Sequence, residues 1–197
     1  MTTMTLRELA GTELTLAVGI RRLSQFEPNC FVLKPSDVVN KKHPARPHSI
    51  NVMSGPTAQM GDVAINLDYR PGCAMEIDDG LIGAQPTKGV VFANISPSHR
   101  VDDGFLRAWF LSGELERQLQ PRHKGSTMTY VKLEDLLDTV IPTPALDVQR
   151  SLAARFVDAA AELEIATRYA EQARAMLELE SLYLVEKANE HSSGAGR

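Results

Sequence analysis

The sequence has little cysteine, no excess of positive charge and no long apolar run, and each shortage excludes a class of protein. Its two cysteines, Cys30 and Cys73, lie far apart and form no CxxC or Cys/His pattern, which predicts reduced, partly buried thiols instead of a metal site or a disulfide. No apolar run approaches the roughly 18 residues of a membrane-spanning helix. Residues 1–5 lack the basic and apolar regions of a signal peptide, so we expect a cytoplasmic location.

Charge and motif content exclude most catalytic functions. The formal net charge is −4, so any affinity for nucleic acid must come from local basic patches. The sequence contains no GxxxxGK(S/T) or GxGxxG loop, no HExxH, no GxSxG, no Asn/Asp-Pro-Pro-aromatic methyltransferase motif and no PD-(D/E)xK nuclease motif. The acids at 78–79 and 102–103 have the positions of turn and cap residues. We therefore predict a non-catalytic protein with no cofactor and no metal.

One long helix is predicted over residues 145–190, capped by Asp147 and followed by a disordered tail at 191–197. No proline or glycine interrupts it, and at about 1.5 Å per residue it would span roughly 65 Å. Its apolar residues alternate by fours and threes, with one break at Glu180, which is the heptad seam of a coiled coil. Such a seam requires a partner helix, and we expect that helix to come from another chain. The seam consists of Leu152, Phe156, Ala159, Leu163, Ala166, Ala170, Ala173, Leu177 and Leu184.

A second apolar stripe runs beside this seam. A two-stranded coiled coil needs one narrow seam, so two adjacent stripes favour a bundle of several helices. The alternative is a helix that folds back on its own domain. The second stripe consists of Ile165, Tyr169, Met176, Leu179 and Tyr183.

Residues 1–144 are predicted to form a compact α+β domain, to which the long helix is attached as an arm. Asp102 caps a helix whose inner face carries Trp109 and Phe110, and Trp109 is interpreted as core in preference to a stacking platform. A short helix over 133–137 and a strand over 139–141 close the domain before Pro142 and Pro144. Earlier strands are predicted over 12–18, 61–67 with one buried face, 74–77 and 81–84 as a hairpin around 78–80, and 90–95 with both faces apolar.

Two basic segments are candidate nucleic-acid contacts. Residues 41–48 contain no acid, and two prolines keep them extended. They form either a solvated loop or a loop that grips phosphates or reaches a base edge. Residues 122–127 form a second basic segment that ends in hydroxyl residues. The candidate contacts are Lys41, Lys42, Arg46, Arg70, Arg122, Lys124, Ser126 and Thr127.

Four segments in order resemble the specificity (S) subunits of type I restriction-modification enzymes. They are a Gly-Asp-apolar strand start at 61–65, an aromatic-Leu-x-x-Trp-Phe-Leu helix at 105–111, a Gly-Ser-Thr loop at 125–127, and a segment with Pro-x-Pro-x-Leu-x-x-Gln at 135–149. The resemblance covers about residues 60 to 185. It does not cover the first 50 residues.

The resemblance implies a target-recognition domain, which is a compact, twisted, mixed α/β module whose loops enter the DNA major groove. This domain is joined to one helix of a spacer coiled coil. Complete specificity subunits usually carry two such units, so this chain resembles a half-length form, and two copies would recognise a symmetric, interrupted site. The implied partners are double-stranded DNA, a second copy, and modification (methyltransferase) subunits on the second stripe. Two alternatives remain: a protein-interaction module that dimerises through its helix, and a regulator that competes for modification subunits without supporting methylation.

Overall fold

The computed structural model describes residues 2–96, 98–125 and 129–194, with side chains described up to residue 184. The chain divides into two units, Met1–Ala153 and Ala154–Arg197, and each is considered by itself. The division falls later than the predicted boundary at residue 144, because about two turns of the long helix belong to the first unit. Ala153, in the second of these turns, is 8% exposed and belongs to the domain core.

The first unit combines short helices with three groups of strands. The strands are β1 (Thr3–Thr5), β2 (Leu14–Val18), β3 (Val32–Leu33), β4 (Val63–Asn66), β5 (Ala74–Glu76), β6 (Gln85–Pro86), β7 (Val90–Ile95) and β8 (Val140–Pro142). The helices are α1 (Leu6–Leu9), α2 (Pro35–Asn40), α3 (Asp103–Leu111), α4 (Glu114–Leu119), α5 (Leu133–Leu137) and α6 (Leu146–Gly194). The main sheet is antiparallel in the order β2-β7-β4-β5, while β1 pairs antiparallel with β8 and β3 pairs parallel with β6. A mixed α/β domain followed by one long helix confirms the predicted fold class.

The central strands of the main sheet are buried on both faces. On one face Val63 and Ile65 pack in a core with α3 and α4. On the other face Ala64 and Phe92 pack with Phe31 in a second core that α2 also covers. The prediction for β7, with both faces apolar, is confirmed. The prediction of one buried face for β4 is wrong, because all four of its residues are buried.

The predicted hairpin around residues 78–80 is wrong. Asp78 accepts a hydrogen bond from the backbone N–H of Gly80 at 2.9 Å and makes a tight turn. The residues after the turn do not return along β5; Ala84 instead bonds the backbone of Ala58, and β6 pairs with β3. Leu81 and Ala84 are apolar because they fill the second core.

Helix α3 begins as predicted. The Asp102 carboxylate accepts a hydrogen bond from the backbone N–H of Phe105 at 3.0 Å, which is an N-cap. Trp109 is 6% exposed and packs edge-on against Phe110, with 5.4 Å between ring centroids, so the interpretation as core is confirmed. Gly113, with φ of 82°, ends the turn after α3 and starts a separate helix, α4.

The two ends of the first unit meet in the β1–β8 pair. Thr3 lies opposite Pro142, and the backbone N–H of Thr143 donates to the carbonyl of Thr2. The long helix then begins at Leu146, so the prediction of Asp147 as its cap is wrong. Asp147 lies inside the first turn, where its negative charge interacts favourably with the helix dipole.

The second unit is a single helical segment. Helix α6 continues to Gly194, beyond the predicted end at residue 190, and residues 195–197 of the predicted tail lie outside the described residues. The predicted helix is confirmed, while its pairing through the seam stays a prediction. Large seam side chains are exposed: Leu163 is 68% and Leu177 is 71% exposed. None of the described helices combines the length and apolar character that a membrane span requires.

Candidate nucleic-acid interface

The first basic loop leaves two of its cations without partners. Lys41 ends α2 in the left-handed region, with φ of 50°, and Lys42 follows it on the surface. Neither side chain makes an ion pair or hydrogen bond with the residues that the structure describes. Both side chains remain available to bind phosphate. Their role in DNA binding stays a prediction.

Arg46 has intramolecular partners instead. Its Nη2 donates to the carbonyl of Ile82 at 2.7 Å, and its guanidinium lies over the Phe31 ring at 5.2 Å from the centroid. These contacts tie the basic loop to the second core, in part through a cation–π interaction. Arg46 therefore has a structural role whether or not it contacts DNA.

Arg70 lies against Glu116, and both residues line a small cleft. Its Nε and Nη2 donate to the same carboxylate oxygen at 3.1 and 2.7 Å, and these bonds raise the pKa of Arg70. Beside them, burial raises the pKa of the Cys73 thiol to about 11, so it is protonated and unreactive at neutral pH. Cys30 and Cys73 are both free, which confirms the predicted reduced thiols.

The second basic segment packs on α5. Arg122 donates to the carbonyls of Asp135 and Asp138 at 2.7 and 3.3 Å, and Lys124 pairs with the Asp135 carboxylate at 3.4 Å. These bonds satisfy backbone groups at the end of α5 and hold the segment in place. Ser126 and Thr127, the other predicted contacts, lie outside the described residues.

Several cations of the first unit have side chains without a partner in the part of the chain that the structure describes, and only Lys41 and Lys42 among them are candidates from the sequence. They form neither an ion pair nor a side-chain hydrogen bond with the described residues, whereas Arg46, Arg70, Arg122 and Lys124 do. A cation without an internal partner is the better candidate for phosphate, because no existing bond is lost on binding. The free cations of the first unit are Arg21, Arg22, Lys34, Lys41, Lys42, Lys88 and Lys132.

The turn after β4, residues 66–70, presents an exposed aromatic ring in an uncommon backbone conformation. Tyr69 has φ of 68° and is 65% exposed. The buried Asn66 amide shapes the turn: it donates to the carbonyls of Asp68 and Arg70, and it accepts from the N–H of Asp68 at 3.1 Å. Thr129 adds two bonds to the Tyr69 backbone, at 2.6 and 2.7 Å. We refer to residues 66–70 as the Tyr69 turn.

An open cleft of about 540 Å³ lies beside the Tyr69 turn and is called the Tyr69 cleft here. It lies between the end of β2 and residues 129–133, with Asp68 and Lys88 among its lining. Ile20 at its rim is 81% exposed, and Tyr130 is 42% exposed. Among the residues of the Tyr69 turn the sequence had pointed only to Arg70; an aromatic residue beside it, directly after a predicted strand, is the signal that would have pointed to this turn.

The described residues contain no group of three or more His, Cys, Asp or Glu side chains placed to hold a metal ion. The surface described above presents exposed cations, aromatic rings and hydrogen-bonding groups. This chemistry suits recognition of a polyanion.

No protein-family model matches the chain, and no curated protein sequence matches it. Solved structures do match. A chain of a type I R-M system whose complex assembly and conformational transition were determined is 20% identical, with a TM-score of 0.62 over 92% of this chain and 43% of that one. The type I restriction-modification S subunit from M. genitalium is 14% identical, with a TM-score of 0.53 over 78% of this chain and 37% of that one.

The HsdS subunit from Thermoanaerobacter tengcongensis is 17% identical, with a TM-score of 0.57 over 85% of this chain and 39% of that one. The chain has the fold of these S subunits. It spans about two fifths of the length of each matched chain. At the level of the fold, the resemblance drawn from residues 60–185 is confirmed.

Proposed function

We propose that this chain is the sequence-specific DNA-binding subunit of a type I restriction-modification system. It performs no catalytic step itself and directs methyltransferase and restriction subunits to the target site. The observation that carries the proposal is the likeness to S-subunit structures, which in one of them extends over 92% of the chain and therefore includes part of the long helix as well as the domain. Free cations on the domain supply the electrostatic attraction that a net charge of −4 does not.

Two copies of the chain form the working unit in this proposal. The exposed seam of α6, from Leu152 to Leu184, pairs with the same seam of a second copy. A two-fold axis then presents two identical domains to a symmetric DNA site.

The second stripe of α6 is the proposed docking site for modification subunits. Ile165, Tyr169, Met176 and Leu179 are each at least 51% exposed, so the stripe offers apolar area beyond what the seam uses. Helices of a partner subunit that pack on this stripe would bury it in a multi-helix bundle. The target-recognition domain and the docking helix thus lie in one chain.

A selection from a randomised duplex library tests the proposed function. The full-length protein is incubated with the library alone and together with a modification subunit encoded beside it. Enrichment of one sequence in either condition supports the proposal, and its binding should weaken steeply with added salt. If no sequence is enriched in either condition, the proposal is wrong, and a protein-interaction module becomes the better description.

A further inference from the structure

The Tyr69 turn has the properties of a recognition element held in place before binding. A non-glycine residue with φ near 68° costs free energy, and it persists only where surrounding contacts impose it. Here the Asn66 amide and Thr129 supply those contacts, while the Tyr69 ring itself is left 65% exposed. The fully buried Asn66 side chain therefore holds in position the exposed ring of Tyr69, which does not belong to the domain core.

Asp68 in the same turn faces the Tyr69 cleft with unused hydrogen-bond acceptors. Within the described part of the chain, no N–H or O–H group donates to its carboxylate. The Asp68 carboxyl packs directly against Gly89 and occupies the space that a side chain at position 89 would need. The Gly89 backbone therefore limits rotation of the carboxyl on that side. Desolvation raises the pKa of Asp68, and the charge of Lys88 partly offsets this. A half-buried acceptor of this kind gains from a ligand that brings a donor.

The surroundings of Asp68 identify the class of ligand. Lys88 lines the cleft, and Arg21 and Lys132 are chain neighbours of lining residues; none makes an ion pair with a described residue. Ile20 and Tyr130 line the cleft and are exposed, and the exposed Tyr69 ring belongs to the residue next to Asp68. Cations, rings and one acceptor together match a nucleotide, whose phosphates, sugar face and amino group require these three kinds of contact.

We propose that the Tyr69 cleft receives the edge of one base pair of duplex DNA, with Asp68 as the residue that reads it. The inference rests on the proposed function. In the major groove, cytosine N4 and adenine N6 are donors, whereas guanine O6 and thymine O4 are acceptors that a carboxylate repels. Asp68 therefore selects an amino-bearing base on one strand. Lys88 and Arg21 hold flanking phosphates, and Tyr69 contacts the adjoining sugar or base.

Two variants separate base reading from general binding. Asp68→Asn keeps the shape of the side chain but adds a donor, so it should reduce the preference for the amino-bearing base about tenfold at one position of the selected site. Binding to other sequences should not weaken, since a negative charge near phosphate is removed. Tyr69→Gly suits the backbone at φ 68° while removing the ring, and it should lower affinity for the selected duplex without unfolding the domain.

Matched controls lie outside the cleft. Asp79→Asn removes an exposed carboxylate elsewhere, and Met60→Ala truncates an apolar side chain that is 62% exposed. Both should preserve the affinity and the base preference of the original protein. All proteins are compared at equal salt, with thermal unfolding to confirm that each variant is folded.

The outcomes distinguish this inference from the proposed function. If the original protein selects a sequence and Asp68→Asn shows the same preference at every position, the inference is wrong and the proposed function stands. If Tyr69→Gly loses a modification subunit but keeps its DNA preference, the cleft binds protein and the inference is also wrong. If the original protein selects no sequence, both proposals are wrong.

Discussion

The side-chain Oε1 of Gln149 accepts a hydrogen bond of 2.8 Å from the backbone N–H of Asp102. The Nε2 of the same amide donates to the carbonyls of Pro144 and Arg100, at 2.8 and 3.1 Å. Gln149 is 1% exposed, so one buried side chain satisfies three backbone groups between the start of α3 and the start of α6. This explains in physical terms why a glutamine ends the Pro-x-Pro-x-Leu-x-x-Gln segment.

Replacing Gln149 should destabilise the domain. Gln149→Leu keeps a similar volume but leaves a buried N–H and two carbonyls without their partner, at a cost of about 2–3 kcal/mol. Urea unfolding measures the loss. The control is Arg150→Ala at the next position, where the ion pair with Asp102 is long and the Arg150 side chain is 69% exposed; its effect should stay below about 0.5 kcal/mol. Equal effects of the two variants would contradict this interpretation of Gln149.

Stability should depend on pH through Glu13. Burial of its carboxyl raises the pKa, but hydrogen bonds from Thr12 and Arg100 and the charge of Arg100 outweigh burial, so the pKa is lowered overall. Because the pKa of Glu13 is lowered in the folded state, the interaction of Glu13 with Arg100 stabilises the protein at pH values above about 4.3, which is the ordinary pKa of glutamate. This stabilisation is lost as the pH falls through the lower, folded-state pKa.

Glu13→Gln isolates this contribution. At pH 7 it should lower the free energy of unfolding by about 2 kcal/mol, because charge-assisted bonds to Arg100 are lost. Below about pH 4 the difference from the original protein should shrink, because the original carboxyl becomes protonated as well. Thermal unfolding of the variant and the original protein from pH 3 to pH 7 measures the loss of stability at pH 7 and its decrease at low pH. A difference that stays constant over this range would show that the ion pair is not its source.

Lys42 and Arg46 should differ in how they affect DNA binding. Lys42→Ala removes a free cation, so the slope of log affinity against log salt should fall by about 0.9 if Lys42 contacts one phosphate. Arg46→Ala should instead lower the melting temperature, because it removes the bond to Ile82 and the contact with Phe31. Salt titrations and thermal unfolding of both variants measure the contrast. An unchanged salt slope for Lys42→Ala would exclude it as a phosphate contact.

Self-association should depend on the seam of α6. Leu163→Glu together with Leu177→Glu places two charges in the seam and should convert a dimer, of twice 21.6 kDa, to the mass of one chain. Glu171→Lys changes a charge outside both stripes and should leave the dimer intact. Light scattering after size-exclusion chromatography measures each mass. An original protein that stays monomeric at high concentration would remove the paired-chain model.

The parts of the fold that followed from sequence are those whose pattern has one physical cause. Helix α3, with its Asp102 cap and its apolar face, was predicted because capping and periodicity agree there. The long helix followed from a seam free of proline and glycine. Strand β4 was located correctly, but its second buried face was not, because Ala64 is too small to signal burial and the segments that cover it are distant in the chain.

The candidate site was harder to predict, since charge alone does not show which cations have partners. Arg70 and Arg122 stood out by their positions in turns and basic segments, yet Glu116 and the end of α5 occupy them. Lys88 stood alone in the sequence and was passed over, although it lines the Tyr69 cleft. The φ of Tyr69 depends on Asn66 and on Thr129, sixty positions later, and such a contact has no local signature.

The pairing of β1 with β8 means that the polypeptide enters and leaves the domain at the same place. Thr3 lies opposite Pro142, directly before α6 begins. A domain with adjacent entry and exit points tolerates transplantation, because its replacement does not change the spacing of whatever it is spliced into. Under the proposed function, recombination that exchanges the coding region for this domain would therefore change the DNA preference in one step and leave the sequence of the long helix unchanged.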